Sequence, residues 1–205
     1  MNIRLDKAGR RFNQEWIFRN VSYEFNPSGR YAILGPNGSG KSTLLSVILG
    51  SLSPSEGGLH YEYKGRSVPV EQIYQYLSFA APYLDLLDEF TLQETIRFHF
   101  QFKDRYRNMT EAAVLDLLGL SKSQDKALKY FSSGMKQRTK LALAFCSDTP
   151  LLLLDEPTSN LDQQGVAWYL DLIGRFTEEK IVIIGSNQEV EYSFCDKVIQ
   201  VTDYK

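Results

Sequence analysis

The stretch GPNGSGKST at residues 35–43 constrains the fold more than any other part of this chain. It follows RYAILG (30–35), which reads as a strand, and leads into STLLSVILG (42–50), whose apolar residues recur at helical spacing. In this strand-to-helix context the pattern G-x-x-x-x-G-K-[ST] predicts a phosphate-binding loop. The alternative is a tight turn without a ligand, but a plain turn requires neither a lysine nor a hydroxyl in that register.

The residue types of this loop suit a nucleotide phosphate chain. Glycines let backbone N–H groups converge on phosphate oxygens, and the N-terminus of the following helix adds partial positive charge. Lys41 is predicted to reach the β- and γ-phosphates, and the Ser42 hydroxyl to ligate Mg²⁺. The loop residues predicted to contact ATP are Gly35, Asn37, Gly38, Ser39, Gly40, Lys41, Ser42 and Thr43.

Strand-like segments recur along the chain. YQYLSFA (74–80) is rich in β-forming residues, whereas LLLLDE (151–156) and KIVIIGS (180–186) are continuous apolar runs bounded by polar residues. Such runs are typical of parallel strands that are covered on both faces. Because helix-like segments alternate with them, the sequence predicts an α/β fold.

The helix-like segments are concentrated in the second half of the chain. A helix is predicted over 109–120, with Thr110 as its N-cap and Gly119 at its end, and another over 133–148. The segment 91–106 has apolar spacings that fit both a strand and a helix, and its length favours the helix.

Composition excludes several classes of protein. The chain of 205 residues has 23 basic and 25 acidic side chains, so no global basic field points to nucleic acid. No apolar run approaches the roughly 18 to 20 residues that a membrane-spanning helix needs, and the N-terminus has no signal-peptide core. A cytoplasmic chain without direct membrane insertion is therefore expected. Cys146 and Cys195 lack metal-ligand neighbours and are predicted to be buried thiols rather than a disulfide or a metal site.

Two carboxylates end the run LLLLDE. In P-loop enzymes an aspartate at this position holds Mg²⁺, which predicts that role for Asp155. Glu156, one residue beyond the strand, is predicted to polarise the attacking water. A solvated loop is the alternative for such a pair, and the preceding P-loop makes it the weaker interpretation.

Together these motifs resemble the nucleotide-binding subunits of ATP-binding cassette (ABC) transporters, over almost the whole chain. The D-loop of that family resembles Ser159-Asn160-Leu161-Asp162, and Asp162 is carried over as a catalytic residue. The family signature resembles FSSGM (131–135) followed by KQR, which keeps Ser132 and Gly134. Phe12 stands about where the family has an aromatic residue that stacks on adenine, although a core role fits it equally well.

The resemblance implies a P-loop NTPase fold of the ABC ATPase type. Its mainly parallel core sheet would be accompanied by N-terminal antiparallel strands and a helical insertion. Residues 1–82 and 131–205 would form the nucleotide-binding core, and residues 83–130 the inserted helical subdomain.

The resemblance also implies a mechanism. Two copies would meet head to tail in a nucleotide-dependent homodimer, with each ATP and its Mg²⁺ held by one P-loop and by Ser132 and Gly134 of the other copy. Hydrolysis would separate the copies and move a transmembrane permease docked in the groove beside the insertion. The chain would then lie at the inner face of the cell membrane, attached through the permease. A short chain with the variant SSGMKQR resembles export systems.

Two positions depart from the family pattern. The family's switch histidine corresponds to Asn187, which can donate a neutral amide hydrogen bond to a γ-phosphate but cannot carry charge. A strand-end cap without ligand contact is the alternative for Asn187. The Q-loop glutamine is absent, because Ala81 or Pro82 stands at its place. Both departures predict slow hydrolysis.

Three functions remain open at this point. The first is the ATPase of a transporter, the second a soluble cassette ATPase in a process such as iron–sulfur cluster assembly, and the third a module that binds ATP but barely hydrolyses it. The transported substrate is not encoded here, since in such systems its pocket lies in the membrane subunit.

Overall fold

The computed structural model describes residues 1–205 as two β-sheets with helices packed on them. The strands are β1 (Asn2–Phe12), β2 (Glu15–Phe25), β3 (Arg30–Leu34), β4 (Glu56–Tyr63), β5 (Arg66–Val68), β6 (Leu77–Ala80), β7 (Leu151–Asp155), β8 (Ile181–Gly185) and β9 (Lys197–Gln200). The α-helices are α1 (Lys41–Ile48), α2 (Leu92–His99), α3 (Glu111–Leu118), α4 (Ser133–Phe145), α5 (Gln163–Phe176) and α6 (Glu189–Tyr192).

The two sheets differ in direction. One is antiparallel in the order β2-β1-β4-β5, and the other is parallel throughout in the order β6-β7-β8-β3-β9. This arrangement confirms the predicted fold class. Because β6, β7, β8 and β3 are neighbours and run the same way, the residues that follow them gather at one edge of the sheet.

Strands β7 and β8 of the parallel sheet are buried on both faces, as their apolar runs predicted. Along β7, Leu151 and Leu153 belong to a hydrophobic core shared with α1 and the antiparallel sheet. Leu152 and Leu154, on the opposite face, belong to a second core shared with α2 to α5. Alternate residues of one strand thus fill two cores, which explains why the run has no polar position.

The predicted helices are present, but two end earlier than expected. Helix α4, predicted over 133–148, ends at Phe145. Helix α3 begins after Thr110, whose side chain accepts a hydrogen bond from the Ala113 N–H, and it ends at Gly119 with φ of 65°. Helix α2 ends at His99, so the predicted helix over 91–106 was wrong beyond that residue. The strand predicted over 74–80 begins only at Leu77, after a 3-10 turn over 70–75.

The segment 83–130 is not isolated from the rest. Helices α2 and α3 pack on α4 and share the second core with the parallel sheet. The division into a core and an inserted subdomain stays a prediction. Cys146 and Cys195 are free, and only Cys146 is fully buried. Measured by length and hydropathy, no helix here qualifies as a membrane span.

Candidate nucleotide-binding and catalytic site

The phosphate-binding loop connects β3 to α1 in a conformation that needs glycine. Gly35, Gly38 and Gly40 have φ values of 148°, 76° and 108°. A Cβ atom on Gly40 would lie 2.4 Å from Cγ2 of Ile17, far inside van der Waals contact. The loop therefore combines left-handed backbone with a close approach that only glycine allows.

Lys41 begins α1 and is nearly buried, with 5% of its surface exposed. Its Nζ donates to the backbone oxygens of Gly35 at 2.9 Å and Pro36 at 3.4 Å. The ammonium group thus lies over the loop, in the concave region that the glycines open. A cavity of about 260 Å³ is lined by Ile17, Asn37, Gly38, Gly40, Lys41, Ser42, Thr43 and Glu156.

Asp155 ends β7 beside this cavity and is 1% exposed. Its Oδ2 accepts a hydrogen bond from the Tyr83 hydroxyl at 3.0 Å, whereas its Oδ1 has no partner in the protein. Ser39 Oγ, in the loop, is likewise buried without a partner. Since buried polar atoms are rarely left unpaired, both atoms indicate a missing polar ligand at this site.

Burial shifts the pKa values of Asp155 and Tyr83. It raises the pKa of Asp155, and the hydroxyls of Ser42 and Tyr83 oppose that shift. Burial and the neighbouring Asp155 carboxylate also raise the pKa of Tyr83. A cation placed against Asp155 would stabilise its charged form, which fits a divalent metal between Asp155 and Ser42.

Glu156 follows with a strained backbone. Its φ is 42°, and its N–H donates to the Gly185 carbonyl of the neighbouring strand β8 at 2.9 Å. A non-glycine residue in this region costs energy that the surrounding structure must supply. The strained turn directs the Glu156 side chain into the cavity formed by the loop.

Asn187 follows β8 and reaches the same cavity edge. Its Nδ2 donates to Oδ1 of Asn37 in the phosphate-binding loop at 3.0 Å. The structure thus brings Asn187 to the loop, although its predicted contact with a γ-phosphate stays a prediction.

A buried glutamate that the sequence analysis did not single out links two of these segments. Glu191 is fully buried, and its Oε1 accepts from the N–H and hydroxyl of Thr158, two residues after Glu156. Its Oε2 accepts from the Ser186 hydroxyl, next to Asn187. Glu191 therefore holds the segments that follow β7 and β8 against each other. Sequence separation hides this contact, because Thr158 and Glu191 are far apart in the chain.

Four predicted residues lie outside the cavity of the loop. Ser132 is the N-cap of α4, and a Cβ on Gly134 would lie 2.8 Å from the Asn160 carbonyl, so the start of α4 packs on the D-loop segment. Asp162 is the N-cap of α5 and accepts from the Gly165 N–H at 2.7 Å. Phe12 is 45% exposed, with the Arg10 guanidinium over its ring. The functional roles of these four residues stay predictions.

Comparison with known proteins agrees with these features. The family model described as ABC transporter matches residues 18–159. A cytochrome c biogenesis ATP-binding export protein of Mesorhizobium japonicum is 33% identical, over 84% of this chain and 85% of the relative. A sulfate/thiosulfate import ATP-binding protein of Mesostigma viride is 31% identical, over 97% of this chain and 59% of the relative.

Solved structures share the fold. A bacterial ABC transporter cassette solved as a dimer superposes with a TM-score of 0.81 at 22% identity, covering 97% of this chain and 93% of the cassette. The same cassette was also solved as a dimer bound to ADP and Pi in a post-hydrolysis state.

Proposed function

The chain belongs to the ABC transporter family, and we propose that it is the subunit that hydrolyses ATP to drive a separate membrane permease in the direction of export. ABC ATPases bind ATP and ADP and hydrolyse ATP, and the ATP-binding subunits of these transporters dimerise and pair with transmembrane components.

One observation carries it: Lys41, Ser42 and Glu156 line the loop cavity, and Asp155, whose Oδ1 is buried without a partner, lies next to Ser42 and Lys41. Phosphoryl transfer to water requires a cation that binds phosphate, a carboxylate that can accept a proton and a side chain that can bind a metal. Glu156 would take the proton of the attacking water, and Lys41 would stabilise charge on the transferred phosphoryl group.

The residues fit Mg²⁺. Asp155 Oδ1 is buried without a partner, and the Ser42 hydroxyl lines the adjacent cavity. Oxygen ligands of this kind are those that Mg²⁺ prefers, and a metal bound here would neutralise charge on the β- and γ-phosphates. Asp155 and Ser42 are the two side chains proposed to hold it.

A second copy of the chain completes the proposed site. Ser132 and Gly134 do not line the loop cavity of their own chain, since the start of α4 packs on the D-loop segment. Bare N–H groups at the start of a helix suit a γ-phosphate, so these residues are proposed to meet the ATP held by the other copy. The family dimers described above support this arrangement.

An apolar groove supports the permease partner. Leu87, Phe98 and Phe102 are 50%, 42% and 68% exposed and line a cavity of about 240 Å³. Burial lowers the pKa of His99, on the groove wall, to about 4, so that it is neutral at pH 7. Six of the ten lining residues are apolar, and Asp85 and Lys103 are the charged ones, so the groove fits a short helical segment of the permease that presents mainly apolar residues.

Replacing Leu87 by glutamate should detach the chain from its permease. A carboxylate in the groove would have to be desolvated on docking, so we expect an affinity loss of about ten-fold or more. Co-purification from membranes with a permease encoded by a neighbouring gene measures this. Val198→Glu is the matched control, because Val198 is also 50% exposed but lies on the edge strand β9. Equal loss in both variants would contradict a role for the groove.

Replacing Asn187 by histidine should speed ATP turnover. Asn187 already contacts the loop through Asn37, and a histidine there could donate to the γ-phosphate with positive charge. Losing a preorganised donor outright costs roughly 10² to 10³ in rate, and exchanging an amide for a stronger donor should restore less, about ten-fold. Steady-state hydrolysis measures the gain, and Asn187→Ala should be slower than the unaltered chain. A histidine variant no faster than the alanine variant would favour the strand-end cap.

The function itself is tested by Mg²⁺-dependent ATP hydrolysis of the purified chain, alone and with the permease in vesicles. Hydrolysis that rises with the permease supports the proposal. Hydrolysis that the permease leaves unchanged would favour a soluble cassette ATPase, and ATP binding with no turnover in either setting would favour an ATP-gated module, as the asparagine at position 187 suggests. The direction of transport is given by the side of the vesicle membrane from which substrate is lost. Export is proposed because the relative of higher identity is named an export protein.

A further inference from the structure

We propose that Tyr83 is a positioning residue that orients Asp155 toward the metal, in place of the glutamine absent from this segment. Its hydroxyl donates to Oδ2 of Asp155 at 3.0 Å. This inference rests on the proposed ATPase function and adds a residue to its site.

The sheet topology explains how Tyr83 reaches a residue far away in sequence. Strands β6 and β7 pair in parallel, with Ala80 opposite Leu154. The chain leaving β6 therefore passes the end of β7, where Asp155 stands. Ala81 or Pro82 stands at the position of the family's glutamine, and neither has a side chain that can donate a hydrogen bond.

The segment that carries Tyr83 is held in place from outside. Lys140 on α4 donates from Nζ to the backbone oxygens of Pro82 at 2.6 Å and Ala81 at 3.3 Å. The ring of Phe79 lies 6.4 Å from the Tyr83 ring, tilted by 58°. Although Tyr83 is 55% exposed overall, its hydroxyl end is directed inward by a fixed backbone and a neighbouring ring.

The hydrogen bond selects one orientation of the carboxylate. The hydroxyl holds Oδ2 in a group of neighbours that includes Ser42, whereas Oδ1 is buried without a partner on the side of Gly185, so the plane of the carboxylate is fixed. Residues that orient a metal ligand commonly affect metal affinity as strongly as a ligand does. Tyr83 would thus act through Asp155 and not by touching the nucleotide.

Removing the hydroxyl tests this without removing the ring. Binding of Mn²⁺ in the presence of a non-hydrolysable ATP analogue, followed by electron paramagnetic resonance, reports the metal site independently of turnover. Loss of one hydrogen bond to the buried Asp155 carboxylate should weaken Mn²⁺ binding by about ten-fold in Tyr83→Phe. Binding of a fluorescent ATP in EDTA should stay at the level of the unaltered chain, since Lys41 and the loop are untouched.

Two further variants make the result specific. Tyr83→Gln, which offers an amide donor, should recover part of the Mn²⁺ affinity. Tyr74→Phe removes the hydroxyl of a tyrosine that is 60% exposed and precedes β6, whereas Tyr83 follows that strand, and it should have no effect. Unchanged Mn²⁺ affinity in Tyr83→Phe, or equal weakening in EDTA and in Mn²⁺, would overturn the assignment. Failure of the unaltered chain to bind the fluorescent ATP would instead overturn the proposed function.

Discussion

Exchanging Glu156 for glutamine is expected to lower ATP turnover by roughly 10² to 10⁴, the usual contribution of a general base, while ATP still binds. Glutamine has nearly the same shape but cannot accept the proton of the attacking water. The backbone should tolerate the change, because the strained φ of 42° is held by the N–H bond to Gly185 and not by the side chain. ATP bound without hydrolysis should then keep two copies together.

Two measurements separate these effects. Steady-state phosphate release gives the turnover, and light scattering with and without ATP gives the mass of the complex. Glu179→Gln is the matched control, since Glu179 is exposed just after α5, away from the cavity. Hydrolysis by Glu156→Gln at the unaltered rate would show that another group is the base. A variant that hydrolyses slowly but stays monomeric with ATP would contradict the shared site.

Much of this site could be predicted because its parts are local. The loop, its lysine and the carboxylates at the end of β7 are short contiguous motifs, and the alternation of strands and helices implies that strand ends meet at one sheet edge. The buried strands could also be predicted from the sequence. A strand whose two faces pack against two cores has no polar position, so it appears as an uninterrupted apolar run. Local capping also predicted α3, through Thr110 and Gly119.

Contacts between distant segments could not be predicted in this way. Tyr83 reaches Asp155 only because β6 lies beside β7, and the sequence near Tyr83 does not predict that strand pairing. Glu191 bridges Thr158 and Ser186 for a similar reason. The end of α2 was missed because Phe100 and Phe102 continue an apolar pattern after the backbone has left the helix. In each case the outcome depends on packing between segments that are distant in sequence, which the local sequence pattern does not determine.

The Glu191 bridge bears on how the two loops move. Thr158, after Asp155 and Glu156, and Ser186, before Asn187, bind the same buried Glu191 carboxylate, so either loop can move alone only if one of these hydrogen bonds breaks. Leaving a buried polar group without its hydrogen bond costs about 1 to 3 kcal/mol. We therefore expect the two loops to move as one unit when a nucleotide binds to the proposed site or leaves it.

Replacing Lys41 by alanine should abolish tight ATP binding. In the structure the ammonium group already lies against the oxygens of Gly35 and Pro36, over the cavity, and a nucleotide would exchange these carbonyls for phosphate oxygens of full charge. Hydrogen bonds to charged groups contribute about 1.5 to 3 kcal/mol each, so losing contacts to two phosphates should weaken binding by roughly 10² or more.

The fold should survive this change well enough for a clean measurement. Alanine is a good helix former at the first position of α1, and the two carbonyls that lose a donor belong to the partly exposed Gly35 and the exposed Pro36, where water can replace it. Fluorescent ATP titration gives the affinity, and thermal unfolding without nucleotide gives the stability. Lys126→Ala is the control, since Lys126 is exposed and far from the loop in sequence. If Lys41→Ala bound ATP as tightly as the control, the loop would not be the phosphate site, and the proposed mechanism would lose its premise.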